Sequence, residues 1–293
     1  MALKWGVLFL CALAVSACGA ERPVTGRMLA VATFYPLYEF TRRVGGDRVE
    51  VRLLIPAGAE PHEYEPTPQD VALLRRARVV VYNGAGFEPW LEKLLDGLPA
   101  GTVIVNATEG LPLHAGSGKP DPHVWLDPVL AQDQVDRILR GLLRADPAGG
   151  ATYRANAEAL KRALMDLDAR FRRTLARCRT RTFVTSHAAF GYLARRYGLT
   201  MLSISGLAPE AEPSPARLRD LVREARRRGV RVVYGETLTS DRVARALAQE
   251  LGARLLVLNP VEGLTQLEQQ AGKDYFGVMD ENRRALAQGL GCR

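Results

Sequence analysis

Short runs rich in β-branched residues alternate with helical patterns along almost the whole chain, and this alternation limits the folds that it can adopt. Four runs lie in each half: MLAVATF, VEVRLLIP, RVVVYN and TVIVN, then RTFVTS, TMLSIS, VRVVYGE and RLLVLN. Pro36 and the Ser214-Pro215 pair are start signals for two of the intervening helices. Strands that alternate with helices form parallel sheets. The sequence therefore predicts an α/β protein with two lobes, each built on a mainly parallel sheet.

One long helical pattern separates the two sets of strands. Within residues 151–177, apolar side chains recur at steps of three and four and so share one helix face: Leu160, Leu164, Leu167, Phe171 and Leu175. A helix of about 25 residues is near 40 Å long. We expect such a helix to be a stiff connection, which favours small lobe and loop adjustments over a wide hinge motion.

The first residues differ from the rest of the chain. Lys4 is followed by an apolar run, 5–15, that is too short to span a bilayer and indicates an export signal. The stretch AVSAC resembles a bacterial lipobox, in which Cys18 becomes the lipid-modified first residue; a plain signal peptide is the alternative. Both predict a location outside the cytoplasm. The predicted division is a signal peptide with its lipobox cysteine, an N-terminal lobe, a linking helix and a C-terminal lobe: 1–18, 24–147, 148–178 and 179–293.

Only two of the four cysteines remain in the folded part, Cys178 and Cys292. In an oxidising compartment such a pair is more often bridged than free, although two unpaired thiols are an alternative. A bridge would close a loop of more than 100 residues, which the chain-entropy model values at about 4 to 5 kcal/mol.

The formal net charge of +8 raises nucleic acid as a partner. The arginines, however, are spread over helical segments and interleaved with acids, and no nucleic-acid-binding motif is present. Solvated helix faces account for them better. We therefore expect no nucleic-acid partner.

Three of the four histidines come after the carboxyl end of a predicted strand. They are His62 in PAGAEPHEYEPTP, His123 in DPHVWLDP and His187 after RTFVTS. In an open parallel sheet that edge is where ligands bind. A lone histidine there is more often a cap or a turn residue, but three unrelated ones would have no reason to share one edge. His114, in LPLHAGSGKP, is left out of the predicted site.

Two acids occupy the same edge, Glu236 in VYGETLTS and Glu262 in LNPVEGLT. Either is on its own more often a helix-start acid. If the lobes face each other across a cleft, three imidazoles and one of these carboxylates complete a tetrahedral shell for a divalent metal. A nitrogen-rich set favours zinc over manganese. Trp125 is expected to pack behind His123, although a plain core aromatic fits equally well.

Several stretches resemble the zinc- and manganese-binding lipoproteins of bacterial ABC transporters, the cluster A-I substrate-binding proteins. They are FYPLYEFTRRVGGDRVEVRLLIPAGAEPHEYEPTPQDV, NGAGFEPWL, DPHVWLDP, VTSHAAFGYLARRYGL, EPSP, VYGETLTS and LNPVEGLT, and together they span nearly all of the mature chain. The resemblance implies two lobes, each with a four-stranded sheet, joined by one long rigid helix with the metal buried between them.

The family's ligand positions match His62, His123, His187 and, for the carboxylate, Glu262 better than Glu236. Because the third position is a histidine, the resemblance also favours Zn²⁺, with Mn²⁺ as the alternative. The long histidine-rich loop of many zinc-binding members is reduced here to LHAGSGKPDP.

The resulting expectation is a monomeric, lipid-anchored receptor that delivers zinc to an integral-membrane ABC permease. A metal-dependent hydrolase and an adhesin are the alternatives. An enzyme is disfavoured because no HExxH or deaminase-type signature is present.

Overall fold

The computed structural model describes Met1 and residues 26–116, 118–209 and 213–293. The predicted signal peptide, apart from Met1, and Cys18 lie outside the described residues. In the ranges that are described, no helix combines the length and the apolar character needed to cross a bilayer.

The first lobe contains a sheet of four parallel strands in the order β2–β1–β3–β4. The strands are β1 (Met28–Ala32), β2 (Val49–Leu53), β3 (Val79–Tyr82) and β4 (Val103–Asn106). The helices between them are α1 (Tyr35–Gly45), α2 (Pro68–Arg76) and α3 (Pro89–Leu95). Val80 and Val81 are fully buried, as expected for a strand covered on both faces.

Along the chain, a short antiparallel hairpin and two long helices separate the strands of the two sheets. The hairpin is β5 (Ala115–Gly116) with β6 (Lys119–Pro120), and it was not predicted. The helices are α4 (Pro128–Ala145) and α5 (Gly150–Leu175). All five apolar residues of the predicted helix stripe are buried on α5, and its 26 residues make it about 39 Å long.

The second lobe has the parallel strand order β10–β9–β7–β8. The strands are β7 (Thr182–Thr185), β8 (Thr200–Ser203), β9 (Val232–Gly235) and β10 (Arg254–Val257). The helices are α6 (Gly191–Arg196), α7 (Pro215–Arg227), α8 (Arg242–Leu251), α9 (Gln266–Gln270) and α10 (Tyr275–Leu290). Two four-stranded parallel sheets flanked by helices confirm the predicted fold class.

Local signals explain where several helices begin. Pro36 lies in the first turn of α1, and the Ser214 hydroxyl accepts a hydrogen bond from the Arg217 N–H (3.2 Å) at the start of α7. Thr67 and Asp70 form a reciprocal capping box on α2. Each device satisfies N–H groups that have no partner inside the helix.

The two sheets have the same topology, because in each the third strand lies on the other side of the first strand from the second. The switch points are therefore between β1 and β3, and between β7 and β9. Loops leaving the carboxyl ends of such a strand pair diverge and open a crevice.

Helix α5 packs against α1 and α4 of the first lobe and α10 of the second. One continuous buried cluster includes Phe34 of the first lobe, Phe171 of α5 and Tyr234 of the second lobe. The lobes are thus joined by a shared core as well as by the chain.

Cys178 and Cys292 form a disulfide, so the alternative of two free thiols is excluded. Backbone hydrogen bonds from Thr180 N–H to the Leu290 carbonyl (3.1 Å) and from Arg293 N–H to the Arg177 carbonyl (3.0 Å) flank the bridge. The bridge ties the chain that enters β7 to the end of α10, at the amino edge of the second sheet.

Candidate metal centre

His62 lies in a single 3₁₀ turn, Pro61–Glu63, in the loop that follows β2. Pro61 fixes φ at the start of the turn, and the Glu60 carboxylate accepts the His62 backbone N–H (3.2 Å). The His62 side chain is 9% exposed. It is the most accessible of the three predicted histidine ligands, because the other two are fully buried.

His123 is oriented by a carboxylate two residues before it. Asp121 Oδ1 accepts both the backbone N–H of His123 (3.0 Å) and its ring Nδ1–H (2.7 Å). A proton held on Nδ1 leaves the lone pair of Nε2 free for a metal. Asp121 was missed as a functional residue, although the acid-Pro-His pattern occurs twice, in DPH and EPH.

His187 is oriented in the same way by a carboxylate that is distant in sequence. It follows β7, and Glu236, directly after β9, accepts its backbone N–H at Oε1 (3.0 Å) and its Nδ1–H at Oε2 (2.8 Å). Both Glu236 oxygens are thereby directed at His187, across the switch point of the second sheet. Glu236 therefore contacts the Nδ1 side of the His187 ring, on the side away from the cluster of four predicted ligand atoms.

Glu262 comes from the loop after β10, where the backbone is strained. Val261 has a φ of 60°, which is rare for a β-branched residue. Its N–H is held by Asn259 Oδ1 (2.7 Å), and Asn259 is held by Asn282 through two further hydrogen bonds. This network turns the Glu262 carboxylate inward, where the residue is 1% exposed.

The four predicted ligands converge on one point between the lobes. Glu262 Oε1 lies 3.2 Å from Nε2 of His123, 3.2 Å from Nε2 of His187 and 3.4 Å from Nε2 of His62. The two buried Nε2 atoms are 3.3 Å apart, and all four ligand atoms lie within 4.8 Å of one another. Ligands on a tetrahedral zinc ion at 2.0–2.1 Å are about 3.3 Å apart. Four of the six distances between the ligand atoms match this value, and the two between His62 and the other histidines lie within 4.8 Å.

The cluster is also electrostatically matched to a cation. Burial acts to raise the pKa of Glu262, but the charge of His187 and hydrogen bonds from the imidazoles hold that pKa well below its usual range. Burial acts to lower the pKa of His187, but Glu236 and Glu262 raise it well above its ordinary value. The pKa of His123 is raised as well, because Asp121 and Glu262 outweigh its burial.

Aromatic side chains enclose the first-lobe half of the cluster. The Trp125 ring lies 5.2 Å from the His123 ring and contacts Phe87 and Phe34, which confirms the predicted packing behind this histidine. The Trp125 indole N–H donates to the Pro260 carbonyl (2.8 Å), close to Glu262 in the chain. An apolar wall strengthens the interactions of charges inside the site.

His114 lies outside the cluster, as predicted. Its ring stacks on Tyr192 and its Nδ1 contacts Arg195. In the part of the chain that the structure describes, no second group of histidine, cysteine and acidic side chains is arranged to hold a metal.

Comparison with known proteins places these observations in a family. The family model for the periplasmic zinc-uptake complex component A, ZnuA, matches residues 30–289. The chain is 39% identical to the high-affinity zinc uptake system protein ZnuA of Bacillus subtilis, over 98% of each chain. It is 40% identical to the zinc-binding lipoprotein AdcA of Streptococcus pneumoniae over 95% of this chain, which spans 59% of that longer relative.

A solved structure has the same architecture. The Zn(II)-bound ZnuA-like domain of Streptococcus pneumoniae AdcA superposes with a TM-score of 0.80 at 42% sequence identity, over 90% of this chain and 99% of that one.

Proposed function

The chain belongs to the family of the periplasmic zinc-uptake complex component A, and from this premise we propose that it is an extracytoplasmic zinc receptor of an ABC transporter. It binds the ion and delivers it to the integral-membrane permease. Its relatives are named as a high-affinity zinc uptake protein and a zinc-binding lipoprotein. The single observation that carries the proposal is the convergence of four ligand atoms, with Glu262 Oε1 lying 3.2–3.4 Å from Nε2 of each of the three histidines.

We assign the metal ligands as Nε2 of His62, His123 and His187 and one carboxylate oxygen of Glu262. Three imidazoles and one carboxylate favour zinc, since manganese prefers more oxygen ligands. Asp121 and Glu236 keep two of the imidazoles in the tautomer that binds metal. Capture replaces the water around the ion with these four side chains and releases the protons that the metal-free imidazoles hold.

Delivery requires the permease to loosen a site that is shared by two rigidly connected lobes. We place the lobes at 24–147 and 179–293, with 148–178 as the linking segment. His62 is the ligand nearest to solvent. With α5 packed on both lobes, adjustments of loops and small lobe shifts are the expected motion.

We also propose that the receptor is monomeric and anchored to the outer face of the cell membrane by lipid on Cys18. The lipobox pattern supports the anchor. So does the relative in Streptococcus pneumoniae, which is named a zinc-binding lipoprotein.

A hydrolytic zinc site is the main rival. A catalytic zinc usually keeps an open position beside three protein ligands, whereas four protein ligands close this shell. The Glu262→Ala variant separates the two ideas. A receptor should lose zinc affinity by more than about a hundredfold, since even outer hydrogen-bond partners contribute 10- to 100-fold; a hydrolase with Glu262 as base should keep its metal and lose turnover.

The same variant tests transport. A deletion strain should grow poorly in zinc-limited medium and should be rescued by the wild-type gene but not by Glu262→Ala. Glu281→Ala is the control, because Glu281 is half exposed on α10 and pairs with Lys273. Normal zinc uptake in the deletion strain, with no second zinc system present, would contradict the proposal.

A further inference from the structure

The motif NGAGFEPWL supplies none of the proposed ligands, yet its Phe87 packs against the His62 ring. It follows β3, at the switch point between β1 and β3. Its acid, Glu88, is 3% exposed and directly precedes α3. A buried carboxylate at this point calls for an explanation.

Glu88 accepts three hydrogen bonds, two of them from the turn of its own motif. Oε1 accepts the Thr33 hydroxyl (2.6 Å) and the Asn83 N–H (2.8 Å), and Oε2 accepts the Gly84 N–H (3.0 Å). Burial raises the pKa of Glu88 to about 7, although these bonds oppose the shift. Among the described residues it forms no ion pair. Burying a carboxylate without a cation is unfavourable, so the contacts to the turn are what account for its position.

The turn needs such a support because one of its residues, Ala85, has an unfavourable backbone conformation. The φ of Ala85 is 54°, between Gly84 and Gly86 with φ values of 77° and 76°, which glycine adopts freely. Positive φ is costly for alanine. At Gly84 a Cβ atom would also clash with the Asn106 side chain. Strained conformations persist only where the surroundings hold them.

The turn contacts one proposed ligand directly and the residue that precedes a second one. The Phe87 ring meets the His62 ring edge-on, with centroids 4.8 Å apart. The Asn83 amide donates to the Pro122 carbonyl (3.0 Å), directly before His123, and is fixed by Gln134 Nε2–H donating to Asn83 Oδ1 (3.0 Å). One side of the turn thus touches His62 and the other touches the peptide that leads to His123.

We infer that Glu88 is a positioning residue for zinc binding: it holds the turn of residues 83–87, which in turn orients His62 and His123. The inference rests on the proposed ligand set. Glu88 itself contacts no metal, and its effect passes through Phe87 and Asn83.

The test is Glu88→Gln, which keeps the shape but replaces one oxygen by an NH₂ group. Whichever way the amide lies, NH₂ faces a backbone N–H of Asn83 or Gly84, so one bond to the turn is lost. We expect the zinc Kd, measured by chelator competition, to rise at least about tenfold, the lower end of what outer-sphere changes cost. The visible spectrum of the Co²⁺-loaded variant should also change, because the spectrum reports ligand geometry.

A double-mutant cycle identifies the route. In a His62→Ala background, Phe87 has no ligand ring to orient and only the route through Asn83 to His123 remains. The effect of Glu88→Gln on zinc affinity should therefore be smaller than in the wild-type background. Thr33→Val is the control at the same carboxylate. It removes only the hydroxyl donor and leaves both turn contacts, so zinc affinity and the Co²⁺ spectrum should match the wild type.

Three results would overturn the inference. Glu88→Gln could lower only the melting temperature, with Kd and Co²⁺ spectrum unchanged, or its full effect could persist without His62. If Glu88→Gln does not fold, Phe87→Leu replaces it, and an unchanged Kd there would equally contradict the inference. Wild-type protein without zinc affinity would instead refute the proposed function.

Discussion

Two buried carboxylates each orient one imidazole by accepting the same two kinds of hydrogen bond. Asp121 and Glu236 each accept a backbone N–H and a ring Nδ1–H from their histidine. This arrangement sets tautomer and ring direction before any metal arrives. Residue-scale pre-organisation of this kind reduces what must be ordered when zinc binds.

Replacing either carboxylate by its amide should weaken zinc binding without abolishing it. Asp121→Asn and Glu236→Gln should each raise the zinc Kd by about 10- to 100-fold, because an amide cannot accept as strongly from Nδ1–H. Chelator competition measures the change. Glu281→Ala again serves as control, and a Glu236→Gln variant with wild-type affinity would show that this contact is unimportant.

Zinc affinity should increase with pH well past the ordinary imidazole value. The pKa values of His187 and His123 are raised in the metal-free protein, so their rings keep protons above about pH 6.5. Zinc must displace those protons, so affinity falls as the pH is lowered and binding at neutral pH releases protons. Titrations from pH 5.5 to 8.5 in buffers of different ionisation enthalpy measure both. An affinity independent of pH between 6 and 8 would contradict this.

At the scale of elements, the two strained loops lie where strands of different lobes end at the site. Among the described residues, Ala85 after β3 and Val261 after β10 are the non-glycine residues with positive φ. Each strained segment is held by a buried polar side chain, Glu88 or Asn259. The sheet edges place the two loops near the site, and the hydrogen bonds to Glu88 and Asn259 fix the conformation of each loop.

The disulfide belongs to the opposite edge of the second sheet and should affect stability alone. It closes a loop with a sequence separation of 114 residues, for which the chain-entropy model gives about 4 to 5 kcal/mol. The Cys178→Ser, Cys292→Ser double variant should lose roughly that free energy of unfolding in urea while keeping zinc affinity within about twofold. A comparable loss of zinc affinity would mean that the bridge and the site are coupled.

At the scale of the whole molecule, sequence periodicity predicted both parallel sheets, the long helix and the edge on which the histidines lie. These follow from local patterns, since each strand and helix face is encoded by its own residues. The choice between Glu236 and Glu262 could not be made in the same way. It depends on contacts between residues tens of positions apart, such as Glu236 with His187, and here only the family resemblance favoured Glu262.

Other features lay beyond the sequence for the same reason. The φ of Val261 is set by Asn259 and Asn282 rather than by valine's own preference. The role of Asp121, by contrast, could have been predicted, because the same acid-Pro-His pattern occurs at His62 and at His123. The shared core between the lobes depends on packing that no single segment specifies.

The central claim is that one zinc ion sits between the lobes on three imidazoles and one carboxylate. The most direct measurement is an anomalous difference map at the zinc absorption edge, from crystals of protein loaded with one equivalent of zinc. We predict a single peak within about 2.0–2.2 Å of Nε2 of His62, His123 and His187 and of a Glu262 carboxylate oxygen. A peak elsewhere, or one that any of these four side chains fails to reach, would contradict the claim.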